Sequence, residues 1–198
     1  MIAICAFLLP AKTYPETTEK ESDQIPVFIA PEPGIPAERL GAGTRSTEKD
    51  LAGPLYLLIP PGGGYTSLAN PPLVWRVTEG FEGVIRAKLG PVGGVGLQFE
   101  RSGAFAPGYY ALDLARSGYD LDVGKTYRFN VSMSSQNTTV ARASALVERI
   151  AEPHADPGRA GIWFDALAPL VSVGLSGRVR ITDTEIFNAL LEAGSVEK

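Results

Sequence analysis

Thr126-Tyr127-Arg128-Phe129-Asn130-Val131-Ser132-Met133-Ser134 is the stretch that decides the fold. Tyr127, Phe129, Val131 and Met133 alternate with Arg128, Asn130, Ser132 and Ser134. Successive side chains of an extended chain point to opposite faces, so this alternation describes a strand with one apolar and one polar side. Ser135-Gln136-Asn137 then turns the chain, and Thr139 to Glu148 returns with Ala141, Ala143, Ala145 and Val147 aligned. If the two runs pair as a hairpin, the small residues of the second complement the large ones of the first.

Similar runs recur upstream. Leu55 to Ile59 is a short apolar run that Pro60-Pro61-Gly62-Gly63-Gly64 breaks, which reads as a buried strand and a turn. Leu73-Val74-Trp75-Arg76-Val77 puts Leu73, Trp75 and Val77 on one face. Val84 to Leu89 points Ile85, Ala87 and Leu89 inward and Arg86 and Lys88 outward. Val95 to Glu100 is expected to alternate in the same way, and Gly108 to Leu114 groups Tyr110, Leu112 and Leu114. Short runs with turn signals between them predict an antiparallel Ig-like β-sandwich rather than βαβ units.

After Glu152-Pro153 the period changes. Asp156-Pro157 offers an N-cap and a proline at the first helical position, and Ile162, Trp163, Ala166, Leu167 and Leu170 form a helical stripe. Pro169 should kink or end that helix. For a second helix, Thr182-Asp183-Thr184-Glu185 reads as a capping box and Ile181 with Ile186 as a hydrophobic staple. Phe187, Leu190 and Leu191 continue its apolar face, and Gly194 suits its C-terminal cap. The expected fold is therefore mainly β, a sandwich with a C-terminal pair of helices packed on it. Trp75, Tyr127, Phe129, Ile162, Trp163 and Leu167 are assigned to packing, with Trp163 anchoring the first helix.

The 198 residues suit one domain plus a tail. The apolar run from Met1 to Leu9, ahead of Pro10-Ala11-Lys12, reads as a signal-peptide remnant over residues 1–11. The positive region that should precede it is missing, which points to a start upstream of Met1 or to a short signal. A lipid anchor at Cys5 and an ordinary apolar terminus are the other readings. The run is too short for a transmembrane helix, so no integral membrane span is expected. Residues 12–53 read as a flexible acidic linker punctuated by Pro15, Pro26, Pro31, Pro33 and Pro36, in which Ile25 to Ile29 could dock as an edge strand. The sandwich is placed at 54–152 and the helical segment at 153–198. Net charge is -4, with no basic domain, so nucleic acid is not an expected partner.

The chemistry-bearing residues are few. Cys5 is the only cysteine and His154 the only histidine, which removes intramolecular disulfides, cysteine zinc sites and most triads. Glu152, His154 and Asp156 sit close together in a connector and read as an ordinary loop rather than a metal site. Gly62-Gly63-Gly64 lacks the lysine of a phosphate loop, and Gly93-Gly94-Val95-Gly96 enters a strand rather than a helix, so both read as turns. Ser102, Ser117 and Ser134 lack a neighbouring base. Asp113, Asp120 and Asp122 read as a solvated loop rather than a calcium site. Asn130-Val131-Ser132 and Asn137-Thr138-Thr139 match a glycosylation pattern that arises often by chance. Neither catalytic residue, nor metal, nor cofactor is assigned.

Several segments, taken in order, resemble the bacterial DUF928 family, a domain of unknown function best represented in cyanobacteria. They are Gly41-Ala42-Gly43-Thr44-Arg45, Leu57-Leu58-Ile59-Pro60, Tyr65-Thr66, Pro71-Pro72-Leu73-Val74-Trp75 and Leu121-Asp122-Val123-Gly124-Lys125-Thr126-Tyr127-Arg128-Phe129. Val147-Glu148-Arg149-Ile150 and Gly161-Ile162-Trp163-Phe164-Asp165-Ala166-Leu167 complete the set. Phe129 stands where the family usually has tryptophan. The cysteine often found soon after that strand is absent, with Ser132 and Ser134 nearby. The resemblance implies a periplasmic, secreted or envelope-associated bacterial protein and implies no catalytic residues. The resulting expectation is a non-catalytic extracytoplasmic module that binds another envelope protein or an envelope component. A carboxylate-dependent hydrolase and a purely structural accessory domain are the alternatives.

Overall fold

The computed structural model describes residues 54–61, 63–151, 162–194 and 196. The N-terminal apolar run, the 12–53 linker with Ile25 to Ile29, and Glu152, His154, Asp156 and Asp156-Pro157 as a helix start lie outside them.

In chain order the strands are β1 (Leu55–Leu57), β2 (Gly64–Thr66), β3 (Leu73–Val77), β4 (Phe81–Pro91), β5 (Leu97–Phe105) and β6 (Gly108–Leu112). A short helix α1 (Leu114–Ser117) precedes β7 (Thr126–Ser135) and β8 (Thr138–Arg149). Then come α2 (Trp163–Leu167), β9 (Val171–Val173), β10 (Val179–Ile181) and α3 (Thr184–Ala193). The protein is mainly β, with short helices towards the C-terminus.

Two sheets share one core. The larger is five-stranded, ordered β2-β8-β7-β4-β5, and the smaller is three-stranded, ordered β1-β3-β6. All pairings are antiparallel except β2 on β8, which is parallel. The β7–β8 hairpin turns at Gln136 and Asn137, both with positive φ, the backbone geometry that matches strand twist in a two-residue turn. Phe129 faces Ala145, Val131 faces Ala143 and Met133 faces Ala141, so large and small residues alternate across the pair. Tyr127, Phe129, Val131 and Met133 are all buried, as are Ile85, Ala87 and Leu89 on β4. From the smaller sheet Trp75 packs on Phe129, ring centroids 6.3 Å apart, and on Tyr110 at 6.4 Å.

Four expectations need correction. Val95 to Glu100 does not alternate as a buried strand: Val95 is 96% exposed in the loop before β5, and Phe99 is 37% exposed. β5 is an edge strand with a neighbour on one side only, so its inward residues are incompletely covered. Leu114 leaves the strand and begins α1, whose first turn Asp113 caps by accepting from the Arg116 N–H. The helix start at Thr182 shifts by one: Asp183 is the N-cap of α3, accepting from the N–H groups of Glu185 and Ile186, both at 3.0 Å. Thr182 instead donates its hydroxyl to the Pro169 carbonyl. Finally, the stretch read as helical also holds the β9–β10 hairpin. The sequence reading missed that hairpin and β2, because their three-residue strands are too short to repeat a period and, unlike β1, do not lie in a longer continuous apolar run.

Pro169 does end the first helix, which passes into a turn of 3-10 helix over Ala168–Leu170. Among the described residues no helix is long and apolar enough to cross a membrane.

Candidate functional site

Among the described residues, Leu58, Thr66 and Ser67 meet Trp163, Phe164 and Asp165 around α2 and the β2 edge. Trp163 is completely buried, and its indole N–H donates to the Leu58 carbonyl at 2.7 Å. Gly194, at the end of α3, lies under its ring: a Cβ there would come within 2.4 Å of the indole. Its φ of -81° is ordinary, so close approach rather than left-handed backbone demands glycine at this cap. Gly64 plays the same part on β2, where a Cβ would stand 2.9 Å from the Phe164 ring.

Asp165 is the polar counterpart. Its carboxylate accepts from the Thr66 hydroxyl at 2.7 Å, from the Ser67 N–H at 3.0 Å and from the Ser67 hydroxyl. Thr66 is fully buried, and its oxygen also accepts from the Leu68 N–H. Bonds to an ionised acceptor are about twice as strong as neutral ones. One aspartate on α2 therefore ties down the chain as it leaves β2.

The second cluster holds the loop before β7. The Asp122 N–H donates to the Tyr127 hydroxyl at 2.7 Å. Lys125 donates to the Asp122 carboxylate, also at 2.7 Å. That hydrogen bond holds the Asp122 carboxyl below its ordinary value and raises the Lys125 ammonium. Arg149 bonds the Ser67 and Leu121 carbonyls, joining this loop to the end of β2.

The packing residues Trp75, Tyr127, Phe129, Ile162, Trp163 and Leu167 are all buried. Of the acidic trio, Asp113 caps α1, Asp120 contacts Asn70 and Asp122 holds Lys125, so each serves a local partner. Among the described residues no three His, Cys, Asp or Glu side chains gather as a metal site. Ser102 is on β5, Ser117 at the end of α1 and Ser134 on β7; Gly63 follows a turn closed on the Pro60 carbonyl, and Gly94 closes the β4–β5 turn on Pro91. Asn130 and Asn137 lie on the outer face of β7 and in the hairpin turn.

That outer face is the arrangement the sequence reading passed over. Register brings Gln98, Lys88, Asn130 and Ser144 into one row across four strands. The next row is Glu100, Arg86, Ser132 and Arg142, and Arg128 follows beside Gly90 and Leu146. Arg86 pairs with Glu100 at 2.6 Å. Lys88, Arg128 and Arg142 make no ion pair among the described residues. Arg86, Lys88, Asn130, Ser132 and Arg142 line an open depression of about 260 Å³. Lys88, Asn130 and Arg128 continue into one of about 380 Å³ beside the β4–β5 loop. The face presents donors and positive charge on a chain whose net charge is -4. Half of the signal was available in the sequence, as cations at outward positions of single strands, and the register supplies their adjacency.

No protein-family model matches the chain, and no curated protein matches it.

Proposed function

We propose that this chain is a non-catalytic binding module of the bacterial envelope, holding an acidic polysaccharide on the outer face of its larger sheet. The observation that carries the reading is the set of three cations without carboxylate partners, Lys88, Arg128 and Arg142, interleaved with Asn130, Ser132 and Ser144. Guanidinium groups match carboxylates with paired hydrogen bonds, and amides and hydroxyls serve sugar hydroxyls. The depressions are lined by cations rather than carboxylates, which supports binding over hydrolysis of a neutral substrate.

We read the two sheets as an Ig-like sandwich. The Tyr127 hydroxyl, bonded to the backbone N–H of Asp122 near the start of β7, is of the tyrosine-corner kind. Membership of DUF928 belongs to the same proposal: among the described residues, the segments from Tyr65, Leu121 and Ile162 that resemble the family hold the β2 edge and the β7 loop. The apolar run from Met1 to Leu9 supports a place outside the cytoplasm.

The test is binding to polygalacturonate, with neutral dextran and phosphatidylglycerol vesicles alongside. Polygalacturonate should bind, more weakly as salt rises, and K88Q/R128Q/R142Q should reduce affinity at least about tenfold with an unchanged melting temperature, about 1.4 kcal/mol of binding. Equal binding by the triple variant, equal binding of dextran, or a preference for the vesicles would each overturn the reading.

A further inference from the structure

The cations of the outer face have a source of carboxylates within their own chain. Lys88, Arg128 and Arg142 make no ion pair among the described residues. The charge of the chain is divided unequally. Residues 1–53 hold eight carboxylates against five cations, and so carry three of the four net negative charges. Their densest acidic run is at residues 16–23, where Glu16, Glu19, Glu21 and Asp23 surround the single cation Lys20.

The point at which this segment joins the fold sets its reach. The Thr78 N–H donates to the Pro54 carbonyl at 3.0 Å, so the chain enters beside the start of β4. Lys88 lies seven residues along β4 from Phe81, about 24 Å at roughly 3.4 Å per residue. Asp23 precedes Pro54 by 31 residues, and a flexible chain of that length spans about 30 Å on average. The nearer carboxylates are worse placed. Asp50 is four residues from Pro54 and extends at most about 14 Å. Glu48 sits between Arg45 and Lys49, which compete for it.

The face has room for such side chains as it stands. The depressions of about 260 and 380 Å³ that hold Lys88, Arg128 and Arg142 are open, so a carboxylate enters them without any change in the sheet. The two guanidinium groups take carboxylates with paired hydrogen bonds, and the Lys88 ammonium acts as a point charge. Exposed ion pairs are individually weak. A flexible tether raises the local concentration of the acidic run to about the millimolar range, which lets several weak pairs form together.

We propose that the acidic run at residues 16–23 docks on the outer face of the larger sheet, against Lys88, Arg128 and Arg142, and competes there with an acidic polymer. The competition rests on the binding reading above; the contact itself does not. A polyanion then has to displace the run, so a long or densely charged polymer is selected over a short one.

The contact is measured on the full chain as C5S/T18C, which carries one nitroxide in the middle of the run. Paramagnetic broadening of backbone amides is read by NMR. The amides of Lys88, Asn130 and Arg142 should lose at least about half their intensity at low salt. Those of Tyr109 and Phe187, which pack on each other at the smaller sheet, should keep theirs. Salt at about 0.5 M should restore the lost signals, and so should E16Q/E19Q/E21Q/D23N or K88Q/R128Q/R142Q. In titrations with polygalacturonate, E16Q/E19Q/E21Q/D23N should bind at least about threefold more tightly than the parent. Broadening that survives both sets of substitutions, or that passes from a spin-labelled copy to an isotope-labelled copy without the nitroxide, would overturn the proposal. Equal polymer affinity of parent and arm variant would overturn it too. Broadening with no polygalacturonate binding at all would support the contact and sink the polymer reading. Polymer binding without broadening would sink the contact and leave the polymer reading standing.

Discussion

The two edges of the larger sheet are finished in opposite ways. At one edge β2 is three residues long, and α2 lies over it with Trp163, Phe164 and Asp165 all engaged. At the other, β5 runs from Leu97 to Phe105 with most of its residues exposed and one side unpaired. Exposed edges invite association, and proteins commonly blunt them with charge; here Glu100 and Arg101 sit in the middle of β5. The bonds of α2 to Leu58, Thr66 and Ser67 gather at the closed edge. The Trp75 indole nitrogen, buried with no hydrogen-bond partner among the described residues, lies beside the open one. The bracing is thus concentrated at one edge of a single sheet.

Substitutions can break that contrast. Trp163→Ala removes a fully buried indole and its bond to Leu58, and should cost about 3–5 kcal/mol in urea unfolding. A melting curve unchanged by it would end the assignment of Trp163 as the anchor. Asp165→Ala strands the buried Thr66 hydroxyl and the Ser67 N–H, and a loss of about 2–3 kcal/mol is expected. At the open edge, Phe99→Thr keeps strand propensity and loses a half-exposed ring, so it should stay within about 0.5 kcal/mol. A cost for Phe99→Thr that rivals that of Asp165→Ala would show the two edges to be equally braced.

What the sequence disclosed depended on length and on position within a sheet. β7 and β8 were legible because each is long and half-buried, so period two repeats several times. The burial of Phe129 opposite Ala145 follows from that alternation. β2 was not legible, since its pairing is with residues around Val147, far along the chain, and a three-residue strand has no period of its own. Asp165 had no local signal either: its partners are Thr66 and Ser67, and only tertiary structure brings them together. The basic face was half legible. Arg86, Lys88 and Arg128 could be placed outward on their own strands, but their adjacency needed the register. The unpaired Trp75 N–H was hidden altogether, because an unpaired donor is a fact about surroundings.

The bond between Thr66 and Asp165 spans 99 positions, and that between Trp163 and Leu58 spans 105. Contacts between such distant positions close large loops, and chains dominated by them fold slowly. During synthesis β2 therefore emerges long before the aspartate that ties it down. The order of assembly is written into this one carboxylate: the hairpin of β7 and β8 can form from neighbouring residues, whereas the last latch waits for the C-terminal quarter of the chain.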